Sequence, residues 1–324
     1  MTDLTTKNPR IKQGWLRVIL FGLGFILVTV LISIPVAIGL FFSNLDELKA
    51  NPTHAITSLL QGSHLWEMVL LEFIVSLITV WLFRTLIDRK SMASLGLQLS
   101  GFTQESIIGF FTGPALMGLL ALLLMVTGRL QWVDITFDPS TLFISLGMVV
   151  LIAFSEELVF RGYVLSNLLD SFSRETTGLP AEGPSSNTGT GRWVALLLSA
   201  LGFAIFHFSG PGLTPLAFAN LFLAGILLGV NYIYTRNLWF SFFLHLSWNF
   251  FLGPILGSHV SGLNMPTLLV TEIKGDWLVT GGDFGIEGSV INTAISLIAI
   301  LVLALAFERK YNPVVTREVA PSKA

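Results

Sequence analysis

Apolar residues along this chain come in long unbroken runs, unlike the alternating or one-faced patterns of a soluble domain. Eight runs stand out, at 15–42, 65–86, 107–127, 141–169, 193–208, 216–234, 238–256 and 290–307. Most supply the roughly 17–25 residues that a helix rising about 1.5 Å per residue needs to cross about 30 Å of hydrocarbon. The pattern predicts an all-α polytopic membrane protein of about eight transmembrane helices. The fifth run is short for a span and the fourth is long. Lys7, Arg10, Lys12 and Arg17 precede the uninterrupted apolar stretch 18–42, which at about 25 residues is too long for the apolar part of a signal peptide. It is expected to stay as a span.

The connections orient the spans. With both termini cytoplasmic, fourteen of the basic residues fall in the inside segments 1–17, 84–106, 170–192, 235–237 and 308–324. Only Lys49, Arg129 and Lys274 fall outside, and Arg161 remains within the fourth span. That asymmetry follows the preference of Lys and Arg for cytoplasmic loops. The organisation expected is a cytoplasmic tail (1–14), a three-span region (15–140) and a core of spans four to seven (141–256). An outside loop (257–289), a last span (290–307) and a cytoplasmic tail (308–324) follow. The core is interrupted at 174–192 by a linker rich in Gly, Ser, Thr and Pro. In the outside loop, 268–273 and 277–280 flank Lys274-Gly275-Asp276, a candidate β-hairpin; an irregular loop fits equally well.

Composition narrows the chemistry. Charged residues make up 12% of the chain and hydrophobic ones 53%, against about 25% charged in a soluble domain. There is no cysteine, which excludes disulfides, thiolate metal sites and cysteine nucleophiles. The basic residues sit at span ends, where orientation already accounts for them, so nucleic acid is not an expected partner.

Against this background the fourth run is unusual, because Glu156, Glu157 and Arg161 interrupt it. An ionised group near the middle of a span opposes insertion by roughly 2.5–3.5 kcal/mol. Glu157 and Arg161 are four apart with the acid first, the favourable order for an ion pair along one helix face. Glu156 points about 100° away and needs a partner from another helix or a water. A carboxylate deprived of water is a stronger base, which activating a water molecule requires. For Glu157 and Arg161 a structural network is the better reading; for Glu156 a functional one is.

Two further spacings accompany these. His207 lies four after Phe203 in the fifth run, and His245 and Asn249 are four apart in the seventh. His245 and Asn249 can both donate to a developing oxyanion, each such donor contributing about 10²–10³-fold in rate. As packing contacts they would contribute only about 0.6 kcal/mol each. Glu72, about seven residues into the second span and near the interface, is expected to be structural, and Asn220 and Asn231 to be packing amides. His54, His64 and His259 fall in outside loops. The motif H-E-x-x-H is absent, no spanning helix carries a pair of aspartates, and Ser209 follows His207 too closely to be served by it. Water activated by glutamate and histidine, or a proton relay, remains.

The order Glu-Glu-x-x-x-Arg, Phe-x-x-x-His, His-x-x-x-Asn resembles the CAAX protease and bacteriocin-processing family of intramembrane glutamate endopeptidases. That family includes the type II CAAX prenyl endopeptidases. The matching residues are Glu156 to Arg161, Phe203 with His207, and His245 with Asn249. The resemblance implies that Glu156 activates water with help from His207, that His245 and Asn249 stabilise the oxyanion, and that Glu157 and Arg161 orient the site. It implies hydrolysis without a cofactor; a zinc site of Glu156, His207 and His245 is the minority alternative. The implied partners are a peptide or lipid-anchored protein substrate and membrane lipid.

Two rival readings come from other classes. One is a non-proteolytic immunity or scaffolding protein of the same fold, and the other is a proton-coupled transporter. A bacterial cell membrane is the expected location. Counting rises along the helices puts Glu156 and His245 about 9–10 Å from the cytoplasmic face, but His207 about 21 Å from it. A fifth helix that begins below the membrane would reconcile them, and the site is then expected to open toward the cytoplasmic half.

Overall fold

The computed structural model describes residues 8–43, 45–50, 65–175 and 189–311. Within them the chain is a bundle of long helices. α1 (Gly14–Ser43) is followed by a short helix, Leu45–Ala50, and then come α2 (Leu65–Ile87) and α3 (Thr103–Val126). α4 is regular over Pro139–Glu157, widens into a π-helix over Leu158–Leu165 and continues as Ser166–Glu175. α5 (Gly189–Phe206), α6 (Pro215–Gly229), α7 (Trp239–Phe250, with a π-helical end Phe251–Ile255) and α8 (Val290–Tyr311) complete it. Seven helices among the described residues are long and apolar enough to cross a membrane.

The expected seventh span is the exception. Its regular part, Trp239–Phe250, has 12 residues and its π-helical end 5. Nine of those 12 are buried, so α7 lies inside the bundle. A helix enclosed by protein need not match the thickness of the bilayer.

Local chemistry sets the helix ends. Asp138 caps α4 by accepting from the Ser140 amide, with Pro139 at the first helical position. Thr214 and Pro215 do the same for α6. α5 begins at Gly189, inside the expected linker, so part of that stretch is helix; the rest of the linker, 176–188, lies outside the described residues, as do His54 and His64.

α7 packs along α3, α5 along α6, α2 along α4, and α8 along α6. The outward faces of α1, α3, α5 and α8 are large apolar side chains, among them Leu23, Ile26, Leu31, Phe111, Leu122, Leu198, Leu301 and Val302, all more than 40% exposed. Apolar surface on that scale is stable only against lipid, so the protein is integral to a membrane.

One end of the bundle holds a web of ion pairs. Asp88, fully buried, takes Arg17 at 3.1 Å and Arg84 at 2.9 Å, with Tyr163 and Asn167 donating at 3.3 Å. Asp170 takes Lys90 at 2.8 Å and Arg236 at 3.6 Å. Arg192 reaches Glu308 at 2.5 Å and stacks over Tyr234, and Lys310 bonds Glu105.

At the other end lies a two-stranded antiparallel sheet. The candidate hairpin does not form. β2 (Leu269–Ile273) pairs instead with β1 (Leu130–Ile135), and Trp277–Thr280 is a helical turn. Alternation locates a strand without naming its partner.

Gly109 and Gly113 of α3 face α7. A Cβ on Gly109 would collide with the Phe240 backbone, and one on Gly113 with Ser247 and Trp248. Gly113→Leu is expected to lower stability by about 1–3 kcal/mol or more through overpacking, measured by thermal unfolding in detergent; an unchanged midpoint would show that this close approach is not needed.

Candidate active site

The two glutamates end the regular part of α4, just before its π-helical turn. Widened turns of this kind re-aim side chains and recur at functional sites. Glu157 points into the protein. Its Oε1 accepts from Arg161 Nη1 at 2.8 Å and from His245 Nδ1 at 2.8 Å. The spacing predicts the first partner; the second, 88 residues away, it does not. Arg161 also donates from Nη2 to the Gly225 carbonyl of α6 at 3.1 Å, and its guanidinium lies 4.7 Å from the centre of the Phe203 ring of α5. Four helices meet on this pair.

Glu156 points the other way, into a cavity of about 430 Å³. His207 stands opposite, its Nε2 3.7 Å from Glu156 Oε2. His207 Nδ1 donates to the Phe203 carbonyl at 2.9 Å. A carbonyl only accepts, so Nδ1 carries a proton, and in the neutral ring the lone pair on Nε2 is the one turned toward Glu156. The four-residue spacing of Phe203 and His207 is therefore a backbone bond that fixes the tautomer. The approach of His207 to Glu156 puts the end of α5 level with Glu156, and α5 starts at Gly189, before Trp193, in keeping with the expected earlier beginning of that helix.

His245 and Asn249, one turn apart on α7, line the same cavity. With Nδ1 donating to Glu157, Nε2 of His245 is the nitrogen left for chemistry. The structure thus brings Glu156, His207, His245 and Asn249 to one cavity, and sets Glu157 and Arg161 behind them.

Two acids that the spacings do not reveal share the cavity. Glu72, expected to be structural, lines it beside Ser155 and Glu156. Glu287 enters from the loop after α7, accepting from the Trp248 indole at 3.0 Å and from Ser261 through its amide and hydroxyl. The Glu287 carbonyl accepts from Asn220 and Asn292, both at 2.8 Å. Asn220 thus anchors the loop as well as packing α6, whereas the Asn231 amide is local to its own turn, bonded by Thr235. His259 donates to the Asp283 carbonyl in the same loop.

The expected opening toward the cytoplasmic half is not found. Ser209, Gly210 and Pro211, after α5, and Val260, Ser261 and Leu263, before α8, line the cavity. These segments lie at the sheet-bearing end. Toward the basic end the bundle closes, with Ser199 donating to the Phe160 carbonyl and Ser241 to that of Leu228. Counting rises along the helices does not show which way a cavity runs.

Among the described residues no three His, Asp or Glu side chains gather as a metal-binding set. His245 turns Nδ1 to Glu157 rather than toward Glu156 and His207.

Residues 138–251 match the family model described as type II CAAX prenyl endopeptidase Rce1-like. This stretch of the chain is similar to that family. It runs from the cap of α4 to the end of the regular part of α7, and so contains the whole polar cluster except Glu72 and Glu287. That likeness supports a function of the CAAX-protease type in general, and a membrane-anchored protein as the class of substrate. Neither the curated proteins nor the solved structures gave a match.

Glu157 and Arg161 are each about 1% exposed. Removing one charge of such a pair leaves the other uncompensated, at about 3–5 kcal/mol. Arg161→Leu alone is expected to unfold the protein at markedly lower temperature, and adding Glu157→Gln to recover part of the loss. A double variant less stable than the single one would contradict this coupling.

Proposed function

We propose that the protein is an intramembrane endopeptidase of the glutamate type, which hydrolyses a peptide bond in a peptide or membrane-anchored protein without a metal. The observation that carries this reading is the facing of Glu156 and His207 across 3.7 Å within a cavity that also holds His245 and Asn249. That gap is too long for a direct hydrogen bond and short enough for one water to bond to both groups.

In the proposed reaction Glu156 accepts a proton from that water as its oxygen attacks the scissile carbonyl. His207 holds the water through the Nε2 lone pair. The carbonyl oxygen becomes an oxyanion, to which the Asn249 amide and Nε2 of a protonated His245 donate. Collapse of the intermediate expels the amine, which takes the proton back from Glu156. Glu157 is then a positioning residue, because its bond to Nδ1 aims Nε2 of His245. The Arg161 guanidinium holds Glu157 in turn. A bacterial cell membrane is the proposed location.

Glu156→Gln keeps the shape of the side chain and removes the base. It is expected to abolish cleavage of a membrane-anchored reporter while thermal stability changes little, and His207→Ala to do the same. Asn249→Ala is expected to lower kcat by about 10²–10³-fold, with a smaller change in KM. An activity that persists in the Glu156→Gln, His207→Ala double variant would remove the proteolytic reading and favour a scaffolding role. Uptake driven by a pH gradient in proteoliposomes would favour a transporter.

The metal-free route has its own test. Prolonged treatment with a zinc chelator should leave the cleavage rate unchanged; a loss restored by added zinc would reinstate the site of Glu156, His207 and His245.

A further inference from the structure

Two features, independent of each other, fix which side of the membrane the cavity faces. The first is charge. Arg17, Arg84, Lys90, Arg192, Arg236 and Lys310 gather at one end of the bundle, tied together through Asp88, Asp170, Glu105 and Glu308. The opposite end holds Arg129 and Lys274, joined where the Lys274 amide bonds the Arg129 carbonyl beside the sheet. Basic residues stay on the cytoplasmic side during insertion, so the sheet-bearing end faces outward.

The second feature is the shape of the cavity. On α2 it is lined from Leu65 to Val75, the half nearest the helix start, and on α5 from Phe203 to the last turn. Both are the halves at the sheet-bearing end. Its lining reaches the surface at that end through Ser209 and Pro211, which are exposed, with Ser261 and Leu263 also on the lining, and it reaches the lipid-facing side at Met68 of α2 and Phe206 of α5. On the basic side of Glu156 lie the buried Glu157–Arg161 pair and then closed core, where Tyr163, Leu165, Leu196 and Val230 have no accessible surface.

We propose that the site is entered from the outer face of the membrane, and that its substrate is an apolar polypeptide segment presented at that face rather than a tail on the cytoplasmic side. The outward direction rests on the fold and charge alone; the statement about substrate rests on the proteolytic reading. The lining supports an apolar occupant. Around the polar cluster it is made of Phe25, Leu65, Val69, Ile152, Leu221 and Val260, and no Lys or Arg lines it. A segment that enters from outside meets Glu72 and Glu287 on the walls before it reaches Glu156.

Absence of cysteine from the chain makes the test direct. Ser209→Cys, where the lining reaches the surface, and Asn264→Cys, exposed beside Leu263, report on the sheet-bearing end; Ala93→Cys, exposed in the turn after α2, reports on the basic end. In right-side-out vesicles from a bacterial expression host, a membrane-impermeant maleimide should label the first two and not the third. Inverted vesicles should give the reverse. Labelling of Ser209→Cys and Asn264→Cys only in inverted vesicles would overturn the proposal, and two positions at that end guard against one variant failing to fold.

The second readout is peptides released by cells making the wild type or Glu156→Gln. Fragments lost in Glu156→Gln should come from the external fraction. Their recovery from the cytoplasmic fraction alone would overturn the substrate claim. Their absence from both would remove the proteolytic reading and the substrate claim with it, while labelling still decides the face.

Discussion

One carboxylate, Glu157, holds the site together because it has two cationic or proton-donating partners and no contact with water. Arg161 and His245 both reach the same oxygen at 2.8 Å. In an apolar bundle such a group is tolerated only when it is paired and hydrogen-bonded. The pair is also a structural joint. Arg161 belongs to α4, leans on Phe203 of α5 and donates to Gly225 of α6, while His245 brings in α7. Any shift of one helix would strand a buried charge. The same constraint frees Glu156: with Glu157 neutralised from behind, the neighbouring carboxylate can face a cavity and be reserved for chemistry.

The division between these two glutamates is legible in the sequence, because a helix turns by about 100° per residue and only Glu157 has a cation four positions on. The spans and the crowding of basic residues at one end are legible for a similar reason, since both depend on local composition. Contacts between helices are not. Nothing in the spacing of Glu157 reveals that His245 will bond to it, or that Glu72 of α2 will stand beside Glu156. Those contacts follow from how the helices pack, which depends on close approaches such as Gly113 against α7.

The errors share that cause. Counting rises from an assumed membrane edge separates His207 from Glu156, whereas the two side chains face each other across 3.7 Å; the start of α5 at Gly189, before Trp193, agrees with the expected earlier beginning of that helix. The same counting could not show the direction of the cavity, since direction depends on which loops roof it. Alternation found the strand Leu269–Ile273 but assigned it a neighbour in sequence. Its partner lies more than a hundred residues earlier, before α4. Glu287 was invisible because a loop acid looks solvated until the loop is seen to fold inward.

That inward fold links the roof of the cavity to its floor. Glu287 takes the indole of Trp248, which lies on α7 between His245 and Asn249. Its carbonyl takes the amides of Asn220 on α6 and Asn292 on α8. The roof is thus fastened to the helix that carries the two proposed oxyanion donors, and Glu157 fastens that helix to α4. A displacement of the roof large enough to break the Trp248 bond would act on the turn of α7 that presents Asn249. The loop from 257 to 289 therefore shares the mechanics of the site, although it lies outside the Rce1-like stretch that holds Glu156, His207, His245 and Asn249.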